Sequence, residues 1–307
     1  FKDKRVNEIM RESLRETVNH ALCIEMKLPN IEKNLDKTSI TTAQDICMKN
    51  DEKSELAKII YNGIVEYAVN EYELNYDDLE KEQAKVLARR IRYNSNATDF
   101  TKLKYGFYGE VLLDLILRCF LKTDVLLARG YLYSPIEKSE VKGFDAFHIM
   151  EWDDNVELWL GEAKFYVNYK KPVDDVLGKI SYSLSDEYVH DNFLALIDWQ
   201  DRFSHSNSRL SGILDRWEEN PNINIASEIA NENMVITYPI MIAYQPKNDG
   251  SYEEKVKECL EYIEKKIVNL PISITTSFQY KIFFIHFSLL YIPTTFKVIV
   301  KRTYSKL

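Results

Sequence analysis

Hydrophobic and polar positions alternate most clearly between Val156 and Tyr166. There Leu158, Leu160, Glu162, Lys164 and Tyr166 share one side of an extended segment, and Trp159, Gly161, Ala163 and Phe165 share the other. Val141–Glu151 predicts a second strand, with Asp145 on the side of Phe147 and Ile149. His148 points the opposite way, with Phe144 and Ala146, as a packing residue. The polar run Trp152-Asp-Asp-Asn between them favours a turn, so the two strands form a hairpin. A turn centred between Asp153 and Asp154 sets Asp145 directly opposite Glu162, with Cβ atoms about 4.5–5.5 Å apart.

Helical periodicity covers Tyr105–Leu121, where Glu110, Asp114 and Arg118 recur every fourth residue as one polar stripe on an apolar cylinder. Upstream, residues 1–30 read as helical and charged, closing at Leu28-Pro-Asn, and a polar connector runs on through Thr42. Helices follow at Glu52–Asn70, with Ile59, Ile60, Ile64, Val65 and Ala68 on one side, and at Asp78–Tyr93. The polar loop Asn94–Thr98 divides a helical N-terminal region, 1–98, from a second domain, 99–307. In that domain further strands are expected at Val125–Tyr133, Met234–Gln245 and Phe278–Ile292. Helices are expected at Val173–His190, Asp191–Phe203 and Tyr252–Val268. This mixture predicts an α/β fold: a mixed sheet flanked by helices, preceded by an all-helical N-terminal region.

Two carboxylates facing each other across a sheet repel unless a cation lies between them. Mg²⁺ removes that penalty, taking oxygen ligands at about 2.0–2.1 Å while keeping waters and accepting substrate phosphate. Lys164, one pleat repeat from Glu162, is then placed to orient or deprotonate a water, or to steady charge developing on phosphorus. Glu-x-Lys alone carries little weight, since Glu25/Lys27, Glu253/Lys255 and Glu264/Lys266 match it in helix-like stretches, where residues two apart share no face. A solvated ion pair is the plain alternative for Glu162 and Lys164, and the large apolar neighbours of their strand oppose it. For the helical stripe, one reading is a surface pair Asp114–Arg118 with Glu110 beside it. The other makes Glu110 a further metal or water ligand, with Gly106 and Gly109 letting helix backbone approach the hairpin.

Gly-x-x-Gly-Glu on a helix, Gly-Phe-Asp and then Gly-Glu-Ala-Lys on a strand resemble the PD-(D/E)xK nuclease superfamily. The wording Gly106-Phe-Tyr-Gly-Glu-Val-Leu-Leu, Lys142-Gly-Phe-Asp-Ala-Phe-His and Trp159-Leu-Gly-Glu-Ala-Lys-Phe-Tyr resembles the HamA family, nuclease subunits of Hachiman anti-phage defence in bacteria. The resemblance is strongest over residues 101–190. It implies a restriction-endonuclease-like fold and a Mg²⁺-dependent deoxyribonuclease (Mn²⁺ substituting), with Glu110, Asp145, Glu162 and Lys164 catalytic. The implied metal set is Asp145, Glu162, Glu110 and Ala163. It also implies a helicase partner resembling HamB. The superfamily's Pro-Asp pair is Phe144-Asp145 here.

Composition bounds these expectations. Across 307 residues the net charge is −8, against the basic footprint of a nuclease that grips DNA alone. Lys170, Lys171 and Lys179 follow the signature strand and are weak candidates for phosphate contacts. Residues 271–307 hold five basic residues, Lys281, Lys297, Lys301, Arg302 and Lys306, and no acid. A partner is therefore expected to supply much of the DNA grip, with the helical region as its docking or restraining surface. Four cysteines without paired spacing suit free thiols in the cytoplasm. No run is apolar enough to span a membrane, no leader is visible, and no phosphate loop marks an ATPase. Two other readings stand beside the nuclease effector: a non-catalytic nuclease-fold module that regulates a helicase, and a stand-alone restriction enzyme, which the acidic balance disfavours.

Overall fold

A computed structural model describes residues 10–27, 35–42, 55–94, 96–98, 101, 105–134, 136–137, 139–153, 155–166, 168–197, 209–220, 222–244, 252–269, 274–288 and 300. In chain order these form α1 (Glu12–Ala21), β1 (Leu22–Lys27), β2 (Leu35–Thr42), α2 (Glu55–Ala68), α3 (Leu79–Arg89) and α4 (Phe107–Cys119). Next come β3 (Asp124–Val125), β4 (Tyr133–Ser134), β5 (Ser139–Glu140), β6 (Ala146–Trp152) and β7 (Asn155–Tyr166). The remainder is α5 (Lys170–Ser183), α6 (Asp186–Ile197), α7 (Arg209–Glu218), α8 (Ile225–Asn231), β8 (Val235–Tyr244), α9 (Tyr252–Asn269) and β9 (Gln279–Ser288).

The fold is α/β, as expected, around one mixed sheet of order β1-β2-β9-β8-β7-β6-β3. Strands β7, β8 and β9 run parallel, and β6 returns antiparallel beside β7. Strand β8 is apolar at nearly every position because both its faces are covered. Ile236, Tyr238, Ile240 and Ile242 join the core beneath α5–α9, and Met241 and Ala243 join the core beneath α1–α4. Residues of α2 and α4 share that second core, so one apolar cluster crosses the boundary expected near residue 98. No helix among the described residues is long and apolar enough to cross a membrane.

Four expectations need correction. Region 1–98 does hold helices but is not all-helical: β1 and β2 pair with each other, and β2 joins the sheet along β9. Pairing on both sides, with β1 and β9, rather than apolar alternation, makes a strand of the polar Thr- and Ser-rich stretch 35–42. Val125–Tyr133 is broken by a 3-10 turn at Arg129–Leu132, where Ala68 backbone packs so closely on Gly130 that a Cβ there would lie 2.2 Å from the Ala68 oxygen. The break between α5 and α6 falls at residues 184–185, where Ser185 Oγ accepts the Tyr188 N–H and starts α6. Helices α7 and α8 lie where no element was expected. The helix over Glu52–Asn70, by contrast, forms as α2 but is apolar beyond the expected stripe, because Leu56, Tyr61 and Tyr67 are buried as well.

Candidate active site

The hairpin forms in the expected register, Ala146 opposite Gly161 and Trp152 opposite Asn155, with Asp153 in the left-handed conformation (φ 51°) at the reversal. One step beyond Ala146, Asp145 therefore stands at the level of Glu162. Its N–H donates to the Gly161 carbonyl at 2.7 Å, and its Oδ2 accepts the Ala163 N–H at 2.9 Å. Among the described residues no strand pairs with that side of β7 past Gly161, so Asp145 caps a notch in the sheet. A strand residue directs its N–H and C=O to the same side, which aims the Ala163 carbonyl at the same notch. Lys164 Nζ donates to Glu162 Oε1, and both side chains are mostly buried, 26% and 19% exposed.

The surrounding residues hold this geometry. Gly161 is glycine because a Cβ would lie 2.8 Å from Leu113 Cδ2 of α4 and 3.3 Å from Pro239 Cγ of β8. Gly143 is glycine because a Cβ would meet Asn192 Oδ1 at 2.4 Å. That amide is a clamp: Asn192 Oδ1 accepts the buried Phe144 N–H at 3.3 Å, and its Nδ2 donates to the Tyr188 carbonyl at 2.8 Å. The turn leading into Asp145 is thereby fixed from α6. Asn192→Ala leaves the Phe144 N–H without its acceptor, a cost of about 1–3 kcal/mol. The expected result is a lower denaturation midpoint, read by urea titration.

Burial drives the electrostatics. It pushes the Glu162 carboxyl up to about 7, helped by the negative charge of Asp145 and opposed by Lys164 and Lys179. Burial works to lower the Lys164 pKa, but Glu162 and Asp145 outweigh it and leave the ammonium above its ordinary value. Tyr188 and Tyr238 are raised by burial and then by Glu162, so both phenols lie near the acid pair. A carboxyl with a folded pKa above its unfolded value holds its proton longer in the folded state. Its contribution to stability is full below about pH 4.5 and is lost as pH rises toward about 7. In metal-free protein, Glu162→Gln is expected to flatten the fall in melting temperature over that window, measured by calorimetry at a series of pH values.

The helical stripe sits on a helix packed against the other face of the sheet. Gly109 brings the first turn of α4 against Ala163 and Phe165, on the reverse face of β7, with a Cβ there 3.5 Å from Ala163 Cβ. Glu110 is buried and accepts a hydrogen bond from the Tyr67 hydroxyl of α2. Asp114 and Arg118 make a buried pair rather than a surface one, at 3.2 Å. His148 does pack on the face opposite Asp145, but it also bonds Asp114 Oδ1 at 3.0 Å and Thr123 Oγ1 at 2.9 Å. A polar stripe on a helix covered by both sheet and α2 finds partners on α2 and β6. Among the described residues, no three His, Cys, Asp or Glu side chains gather as a metal-holding group.

Of the lysines, Lys179 lies near enough to Glu162 to act on its charge, Lys170 sits 5.8 Å over the Tyr262 ring, and Lys171 is exposed. Lys281 is engaged by Glu157 at 3.1 Å, while Lys297, Lys301, Arg302 and Lys306 lie outside the described residues. Cys119 and Cys259 are free and buried; burial raises both thiols, Cys119 to about 11. Sequence reasoning did not find Asn192, Tyr188 or Tyr238, which carry no motif. The one signal for Asn192 was the glycine it faces.

Compared with known families, residues 17–304 match the family described as HamA. No curated protein and no solved structure matches the chain.

Proposed function

The chain belongs to the HamA family and so to Hachiman defence, and on that premise we propose that it is a Mg²⁺-dependent deoxyribonuclease, the effector arm of a complex with a helicase resembling HamB. The observation that carries the reading is the Asp145–Glu162 pair in a sheet notch with the Lys164 ammonium against it. The donor set suits a hard cation: two carboxylates, one of them destabilised by burial and by its neighbour, and a main-chain carbonyl at Ala163. Mg²⁺ is held by one or two carboxylates with the rest of its shell left to waters and substrate phosphate, so no third acid is needed. Bound there, the metal would supply Lewis-acid polarisation of the phosphodiester and a water of lowered pKa.

The chain's own residues do the rest. Asp145 is oriented by the Ala163 N–H, which leaves its other oxygen for a ligand. Lys164, kept charged by two carboxylates, acts as a donor to the oxygen on which charge develops, rather than as a base. Glu110, which accepts a hydrogen bond from the Tyr67 hydroxyl of α2, stays the helical acid of the proposed set.

Net charge supports the partner: at −8 the chain opposes DNA binding by itself. The helical region is our candidate for restraint by the helicase. Because α2 shares a core with α4, its removal would disrupt the nuclease body, so the docking test is surface substitution on α1 and α3 rather than truncation.

Supercoiled plasmid incubated with the full chain, the helicase subunit and ATP tests the activity. Cleavage with Mg²⁺ and none with chelator is expected. Intact plasmid under both Mg²⁺ and Mn²⁺ would overturn the enzyme reading and leave a nuclease-fold regulator of the helicase.

A further inference from the structure

Helix α5 begins four residues after β7 and lies over the face that carries Glu162 and Lys164. Two of its exposed side chains, Lys179 and Tyr182, are three residues apart and therefore share one side of the helix. Lys179 is the one whose charge reaches Glu162. Tyr182 is 59% exposed, so its ring is accessible from solvent.

The ring is also fixed. Its centroid lies 4.9 Å from that of Tyr188, and the Tyr188 ring stands edge-on to Phe144 at 5.2 Å. Phe144 precedes Asp145, and Tyr188 feels the charges of both Glu162 and Asp145. A row of rings thus runs from the acid pair to solvent, its inner members buried or half-buried and its outer member offering a free face. Fixing the outer ring in advance removes the ordering cost that an isolated exposed tyrosine would incur on binding.

We propose that Lys179 and Tyr182 form a nucleic-acid subsite beside the acid pair, in which the lysine holds a backbone phosphate and the tyrosine stacks an unpaired base of the substrate strand. This rests on the nuclease reading of the acid pair and names its substrate class: a single-stranded or locally opened strand rather than intact duplex. Bases in a strand repeat at about 3.4 Å, and the ring row steps 5.2 Å and then 4.9 Å outward from Phe144, so the base at the outer ring is one about three nucleotides from the scissile phosphate. Every base has a π-face, so the stack is sequence-tolerant, and lysine plus aromatic ring is the usual pairing for single strands. Inside a duplex the bases are stacked on each other and cannot use Tyr182. A helicase partner, which delivers opened strands, fits such a subsite.

The test is equilibrium binding of the full chain, carrying Glu162→Gln to prevent cleavage, to a short single-stranded oligonucleotide containing 2-aminopurine, at low ionic strength without metal. The expected result is quenching of the fluorescent base on binding. Tyr182→Ala should weaken affinity about tenfold and abolish the quench, and Tyr182→Phe should keep both. Lys179→Ala should weaken binding and lower the salt dependence, while blunt duplex should show no dependence on residue 182. The proposal is overturned if the oligonucleotide does not bind, if the alanine variant binds within twofold of its parent, or if phenylalanine fails as badly as alanine. It is also overturned if Tyr182→Ala releases the helicase while leaving oligonucleotide binding intact, which would make the ring a protein contact. None of these results bears on the plasmid assay, so the subsite can fail while the nuclease reading stands.

Discussion

Glu162→Gln is expected to abolish plasmid cleavage, a loss of at least about 10³-fold, while leaving the protein as stable as its parent or more so. The substitution keeps the shape of the side chain and removes a carboxylate that is costly where it sits. Burial and the facing Asp145 both disfavour its charge, which is why its pKa rises to about 7. A neutral amide removes that repulsion, and the gain should be largest above pH 7, where the parent's carboxyl is ionised. The proposed metal would lose a ligand in the same step. Activity lost with stability gained is the signature of a residue kept for chemistry against the interest of the fold. Lys164→Ala should also cost about 10²–10⁴-fold in rate, but with the opposite effect on stability, because it strips Glu162 of its cation. Cleavage assays run beside urea titrations of both variants separate these outcomes. A Glu162→Gln protein that still cuts, or one that has merely unfolded, would contradict the assignment.

The second large effect lies on the other face of the sheet. Arg118→Met is expected to destabilise the chain by about 3–5 kcal/mol. Arg118 faces Asp114 at 3.2 Å and donates to the Glu66 carbonyl at 3.0 Å, and both charged side chains are almost wholly covered. Asp114 in turn accepts from His148 Nε2, which makes Nδ1 the acceptor of the Thr123 hydroxyl. Burial lowers the His148 pKa, so the ring cannot supply the positive charge that methionine removes. On the far side, Arg11 of the segment entering α1 pairs with Glu66 at 2.5 Å, so the array ties α1, α2, α4 and β6 together. The loss should appear as a lower denaturation midpoint with cleavage per folded molecule unchanged, since none of these side chains shares a face with the acid pair. An unchanged midpoint would mean the array contributes nothing net.

What could be read from the sequence follows from which forces act locally. The hairpin was legible to the residue, because pleat alternation fixes faces and the Asp153–Asp154 turn fixes register; Asp145, Glu162 and Lys164 meet as that arithmetic requires. The helices α2, α4 and α9 and the strands β7, β8 and β9 were legible from periodicity and long apolar runs. The partners of the helical stripe were not. A stripe at four-residue spacing says which residues share a side of the helix, not which neighbour that side meets, and Tyr67 lies 43 residues before Glu110 in the chain. Strands β1 and β2 were missed because their pairing, not their composition, makes them strands. Asn192 and Tyr188 reach the site through the packing of α6, which no local pattern encodes.

The most direct test of a cation held between Asp145 and Glu162 is a Mn²⁺ titration of the full chain followed by electron paramagnetic resonance, in parallel with Asp145→Asn. Saturable Mn²⁺ uptake by the parent, displaced by Mg²⁺ and lost in the variant, is the expected result. Equal uptake by both proteins, or none by the parent, would contradict it.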